Sequence, residues 1–153
     1  YISNETYYLK GVLSMKKLLN IGFLYAILAM AGGVFYREFT KFNGFTGRTA
    51  LGVVHTHLFL LGMVMFLLAA LFAARLPLGQ TRLFKGFLVV YNIGVPLTVV
   101  MLLVRGIPQV LGMELSRGMD AAVSGIAGIG HILTGAGLVL FFLALRRAAP
   151  GRD

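Results

Sequence analysis

Residues 50–74 read ALGVVHTHLFLLGMVMFLLAALFAA, an apolar run interrupted only by Thr56 and by two histidines, His55 and His57. A helix needs about 20 mainly apolar residues to cross the hydrocarbon core of a bilayer, and this run is long enough. Three further runs qualify, at about 18–36, 87–104 and 123–145. Between them lie REFTKFNGFTGRT (37–49), RLPLGQTRLFKG (75–86) and RGIPQVLGMELSRGMDAA (105–122), which hold charges that the runs lack. Lipid demands that each backbone N–H and C=O be satisfied within its own segment. The expected fold is therefore an all-α, integral membrane four-helix bundle, forming one domain over 15–153.

Composition agrees. Only 12% of the 153 residues are charged and 58% are hydrophobic, with a mean hydropathy of +0.86, whereas a soluble domain is about 25% charged. No cysteine is present, which excludes disulfides, thiolate metal sites and iron–sulfur clusters. The net charge of +9 comes from short basic clusters at the ends of apolar runs. That is a topology signal, and it argues against a nucleic-acid partner. Lys10, Lys16, Lys17, Arg75, Arg82, Lys85, Arg146, Arg147 and Arg152 fall on one side, against Arg37, Lys41, Arg48, Arg105 and Arg117 on the other. The positive-inside rule then puts both termini in the cytoplasm, with the chain in a bacterial inner membrane. Residues 1–14, YISNETYYLKGVLS, differ from the rest, and Met15-Lys16-Lys17 reads like a natural start. The preceding segment is expected to be an N-terminal extension or a remnant of expression.

The only histidines are His55, His57 and His131, all inside apolar runs. At about 1.5 Å per residue they share a depth of about 7–12 Å from the outer end of their spans. Residues two apart on a helix point about 200° apart, so His55 and His57 address opposite sides. A zinc or copper ion wants three or four converging donors, which that divergence opposes. Haem asks for one or two axial imidazoles, a flat apolar slot and cations near its propionates. Gly125, Gly128, Gly130, Gly135 and Gly137 of the fourth run, with Gly52 and Gly62 of the second, offer either such a slot or close helix packing of the small-xxx-small type. Arg48 and Arg105, like Arg37 and Arg117, lie on the outer side and are candidates to pair with propionates.

VVHTHLFLLG resembles the His-x-His helix of the haem–copper oxidase catalytic subunit, in which the two histidines of the pair hold neighbouring haems. That subunit is built as three four-helix arcs, and a four-span chain is one arc. The resemblance extends to small four-span bacterial membrane proteins of a family of unknown function. It implies haem b, a bis-histidine site and a homotrimer in which His55 of one chain faces His57 of the next, with His131 as the competing ligand. There is no set of three histidines for a copper centre and no His–Tyr pair five residues apart. An electron carrier or haem-binding protein, with a redox partner or quinone, is therefore expected rather than a complete oxidase. Two other readings stand beside it. One is intramembrane binding or transport of copper or another metal ion, with Met63, Met65 or Met113 as soft donors. The other is a non-catalytic accessory or assembly subunit whose histidines only bond helices.

Smaller features complete the reading. Pro96 is expected to kink the third span, with Asn92 relieving the disrupted backbone or reaching another helix. Tyr91 is a candidate redox or quinone-site residue. Glu38 is expected to pair with Arg37, and Phe42 and Phe45 to dip into the interface. Ile107, Val110, Leu111 and Leu115 recur at helical spacing, which predicts a short interfacial helix in GIPQVLGMELSRGM. No phosphate-cradling loop, nucleophile–base pair or paired carboxylate lies in the spans, so hydrolysis and phosphoryl transfer are not expected.

Overall fold

A computed structural model describes residues 4–149, with side chains described from Met15 onward. The described chain is an all-helical four-helix bundle. Helix α1 is Asn4–Phe42. Helix α2 covers Ala50–Ala73 and changes pitch on the way. It opens as a 3-10 turn, Ala50–Val53, continues as α-helix over Val54–His57, widens to a π-helix over Leu58–Val64 and returns to α-helix over Met65–Ala73. A 3-10 turn at Leu78–Gln80 leads into α3, Arg82–Leu111, and α4 is Arg117–Ala148. All four helices are long and apolar enough to cross a membrane. The assignment of 1–14 as a separate piece concerns side chains outside the description, as does Lys10 in the charge count; Arg152 lies beyond it altogether.

Hydropathy finds only the apolar part of each helix, so α1, α3 and α4 overrun the expected spans, whereas α2 matches its expected span to within one residue. The clearest case is α3, which runs past Arg105 through Pro108 to Leu111. The separate interfacial helix therefore does not form: Ile107, Val110 and Leu111 extend the third span, and Leu115 sits in the linker. A proline this near the end of a helix forfeits one backbone bond without stopping the helix. Gly112, at φ 65°, stops it, its N–H bonding the Pro108 carbonyl in the left-handed conformation that glycine adopts freely. Side chains set the starts. Thr81 accepts from Phe84 N–H at 3.1 Å, and Ser116 from Met119 N–H at 3.3 Å. Thr49 caps α2 and also donates to the Gly106 carbonyl at 2.9 Å, while Ala50 N–H donates to Gln109 Oε1 at 2.8 Å. These two bonds tie the start of α2 to the end of α3.

Lipid tails are as apolar as leucine, so close packing rather than water exclusion holds such helices together. The α3–α4 seam shows this. Gly94 and Thr98 face Gly130 and Thr134, and a Cβ on Gly130 would lie 2.6 Å from Thr98 Oγ1. Both threonine hydroxyls bond back to their own helices, Thr98 to the Gly94 carbonyl at 3.0 Å and Thr134 to the Gly130 carbonyl at 2.8 Å. Neither leaves a polar atom unpaired in the seam. Toward the other end an aromatic core forms from Phe66, Phe84, Phe87, Tyr91 and Phe141, the closest ring pair being Phe87–Phe141 at 4.9 Å. Outward-facing Phe23, Leu60, Ile132 and Phe142 are more than half exposed, as lipid-facing side chains would be.

The helix α3 passes through Pro96 unbroken. Asn92 reaches another helix, as one of its two expected roles has it: Tyr25 O–H on α1 donates to its Oδ1 at 3.3 Å, while its amide donates to the Leu88 carbonyl at 2.8 Å. The carbonyl that Pro96 leaves without a partner is that of Asn92 itself, so the side chain relieves a different site. Tyr91 is fully buried and its hydroxyl has no partner, which closes it to any diffusing quinone. Arg37 pairs with Glu38 at 3.7 Å on the surface. Phe45 packs partly against the core, whereas Phe42 is 82% exposed.

Candidate functional site

The two histidines of α2 separate as helical geometry requires. His55 turns to α1: its ring lies nearly parallel to that of Tyr36, with centroids 6.5 Å apart, and Gly33 lies beside it. Its Nδ1 is buried with no hydrogen-bond partner. His57 turns to α4 and meets His131, the ring centroids 6.4 Å apart and the planes at 89°. Of the three histidines, His57 and His131 are thus brought together, and His55 is left on another face.

The same local device orients both rings of that pair. His57 Nδ1 lies 2.8 Å from the Val53 carbonyl, and His131 Nδ1 lies 2.8 Å from the Ala127 carbonyl. In each case the partner is the backbone four residues earlier. A carbonyl only accepts, so each Nδ1 carries a proton, and in the neutral ring Nε2 is the nitrogen with the lone pair. That tautomer is the one that ligates a metal through Nε2, with the backbone bond fixing the ring. An atom lying between two opposed imidazole nitrogens, about 2 Å from each, separates the ring centroids by about 6 Å. The observed spacing is of this size. Among the described residues no group of three His, Cys, Asp or Glu could hold a metal ion. Met65 is buried in the core and Met113 is 62% exposed in the linker.

The surroundings of the pair divide the glycines. Gly130 and Gly137 are filled by Thr98 and Tyr91 of α3. Gly125, Gly128 and Gly135 have nothing within 4 Å of where a Cβ would be. Gly128 and Gly135, three before and four after His131, share its face, so His131 stands on a smooth strip open to the outside. Directly after His57 the helix widens into its π-segment, where Gly62 is pressed on the Tyr25 ring so closely that a Cβ would overlap it. Such widenings are frequent at functional sites.

The candidate cations lie nearer the ends of α1 and α3. Arg105 Nη2 bonds Asp120 Oδ1 at 2.7 Å and Ser124 Oγ at 2.7 Å, which leaves its other guanidinium donors without a partner among the described residues. Ser124 is two turns before His131, about 10 Å along the helix. Arg48 is exposed in the α1–α2 linker. Sequence reasoning missed Tyr36, the two carbonyls and the π-segment. Only the carbonyls had a signal, since a helix always offers one four residues before a histidine.

Residues 15–148 match a family described as "Protein of unknown function (DUF2871)". No curated protein and no solved structure matches the chain.

Proposed function

The chain belongs to the DUF2871 family, and we propose that it is a membrane b-type haem protein that transfers electrons through an iron held by His57 and His131. The observation that carries this reading is the pair itself: two imidazoles meet with centroids 6.4 Å apart and planes at 89°, and both Nδ1 atoms are turned to carbonyls, which leaves Nε2 as the nitrogen available for a ligand role. Two axial donors are enough for haem iron and too few for a zinc or copper site. The open strip at Gly128 and Gly135 suits a flat macrocycle beside His131, and Arg105 is within reach of a propionate while still holding Asp120. When bound, haem supplies a one-electron couple. Two strong imidazole ligands leave no open coordination position, which favours electron transfer over gas chemistry. The protein's part is to fix both ring orientations, exclude water with apolar helix faces, and place a cation at the propionate edge.

Pairing within one chain takes the place of the cross-subunit His55–His57 pairing, because His55 faces α1. The resemblance to the oxidase helix then reduces to its one general feature, two histidines serving different neighbours. A homotrimer is not required by this ligand set; the mass of the detergent-solubilised particle tests it. With both termini cytoplasmic, the site lies toward the outer side.

The test is the visible spectrum of the purified full chain after addition of haem b, oxidised and then reduced. A Soret band with sharp reduced α and β bands supports the reading. A chain that stays colourless overturns it and leaves the histidines as bonds between helices in an accessory subunit. Uptake of a metal ion with no haem uptake favours the transport alternative.

A further inference from the structure

Away from the histidines, a cavity of about 340 Å³ opens where α3 ends and α4 begins. Its charged lining is balanced: Arg105 and Arg117 against Glu114 and Asp120. The inner pair, Arg105 and Asp120, is closed at 2.7 Å. Arg117 and Glu114 have no ion-pair partner among the described residues. Gln109 spends its Oε1 on Ala50 N–H, so its NH2 group is left to donate. The open chemistry is therefore a guanidinium and an amide donor together with a carboxylate acceptor in one lining. A simple anion entering here meets two carboxylates, and a simple cation meets two guanidiniums. A ligand carrying both signs a few ångströms apart meets neither conflict.

The cavity sits at the end of two membrane-spanning helices, the level at which lipid headgroups lie. Its remaining walls include Pro108, Met113 and Leu115, which are apolar. We propose that this cavity holds the phosphoethanolamine headgroup of a zwitterionic phospholipid. The phosphate takes Arg117, whose planar guanidinium bonds two phosphate oxygens at once, together with the Gln109 amide. The first turn of α4 adds its dipole to the same side. The ammonium takes Glu114 as a hydrogen-bonding ion pair. Pro108, Met113 and Leu115 cover the glycerol ester, and the Arg105–Asp120 pair closes the back of the site. The site uses Arg105 only through its pair with Asp120, so it does not require haem to be bound.

The test is native mass spectrometry of the detergent-purified full chain with equal amounts of phosphatidylethanolamine, phosphatidylglycerol and phosphatidylcholine. One phosphatidylethanolamine should be retained, about tenfold over the other two, which is the size of one charge-assisted contact. Arg117→Gln should lower that retention by about the same factor. Glu114→Gln should bring phosphatidylethanolamine and phosphatidylglycerol to near parity, because it removes the ammonium partner and one repulsion. Circular dichroism of both variants checks that the helices persist. Equal retention of all three lipids by the unaltered chain overturns the proposal, and so does unchanged preference in both variants. Displacement by soluble glycerophosphoethanolamine at the concentration of the lipid overturns the lipid as the source.

Discussion

Helix α4 has two faces made from the same residue type. On one, Gly130 and Gly137 are filled by Thr98 and Tyr91 of α3. On the other, Gly128 and Gly135 border His131 with nothing beside them. The difference lies in what α3 presents. Gly94 and Thr98 bring one backbone into contact with another, so the missing side chains of α4 become the fit. Beside Gly128 and Gly135 nothing lies within 4 Å of where a Cβ would be, although His57 of α2 meets His131 between them, so the missing side chains become open space. Glycine in a membrane helix therefore says that something flat comes close, and only the neighbouring helix says what.

The largest expected effect follows from that contrast. Gly130→Ala places a Cβ 2.6 Å from Thr98 Oγ1 and 2.9 Å from Thr98 N, and backbone cannot yield as a flexible side chain does. We expect a loss of about 2–3 kcal/mol, typical of overpacking. Gly128→Ala meets nothing and should gain up to about 1 kcal/mol from helix propensity. Thermal unfolding in detergent, followed by circular dichroism, compares the two. Equal effects would break the distinction between the faces.

Next come the histidines. His57→Ala and His131→Ala should each abolish the six-coordinate haem spectrum, whereas His55→Ala should leave it in place, since His55 faces Tyr36 and Gly33. Loss of the spectrum in His55→Ala alone would reassign the ligands. Gly128→Leu should act more weakly, lowering haem uptake about tenfold by crowding the open strip without removing a donor. Its helicity should match that of the unaltered chain.

The fold was legible because lipid leaves few solutions: four apolar runs with charged linkers permit little except four helices. The divergence of His55 and His57 was legible too, being arithmetic on a helix. Which partner each would meet was not. That depends on how α1 and α4 lie around α2, and their near-uniform apolar surfaces carry no periodic signal of direction. The π-segment at Leu58–Val64 was hidden for a related reason: one residue inserted into a wholly apolar run leaves no polar residue out of phase. The ends of α3 misled because Arg105 and Pro108 read as a linker, yet a helix can leave the hydrocarbon and continue among headgroups. The glycines of α4 were named for both roles, and only the presence of Thr98 and Tyr91 opposite some of them separates the two.

The smallest effect bears on Arg105, which joins α3 to the first turns of α4. Its side chain is 33% exposed and that of Asp120 is 60% exposed, so the pair is screened and contributes about 0.5–1 kcal/mol. Arg105→Gln and Asp120→Asn should therefore destabilise the chain by similar, small amounts if the pair only clamps α3 to α4. Haem affinity separates a second role. A propionate held by the free guanidinium donors is lost in Arg105→Gln but kept in Asp120→Asn, where the guanidinium keeps its charge and loses a competing carboxylate. Arg105→Gln should weaken haem binding a few-fold beyond Asp120→Asn, about the size of one exposed charged contact. Identical haem affinities in the two variants would confine Arg105 to the clamp and turn the search for the propionate partner to exposed Arg48 and the other candidate arginines.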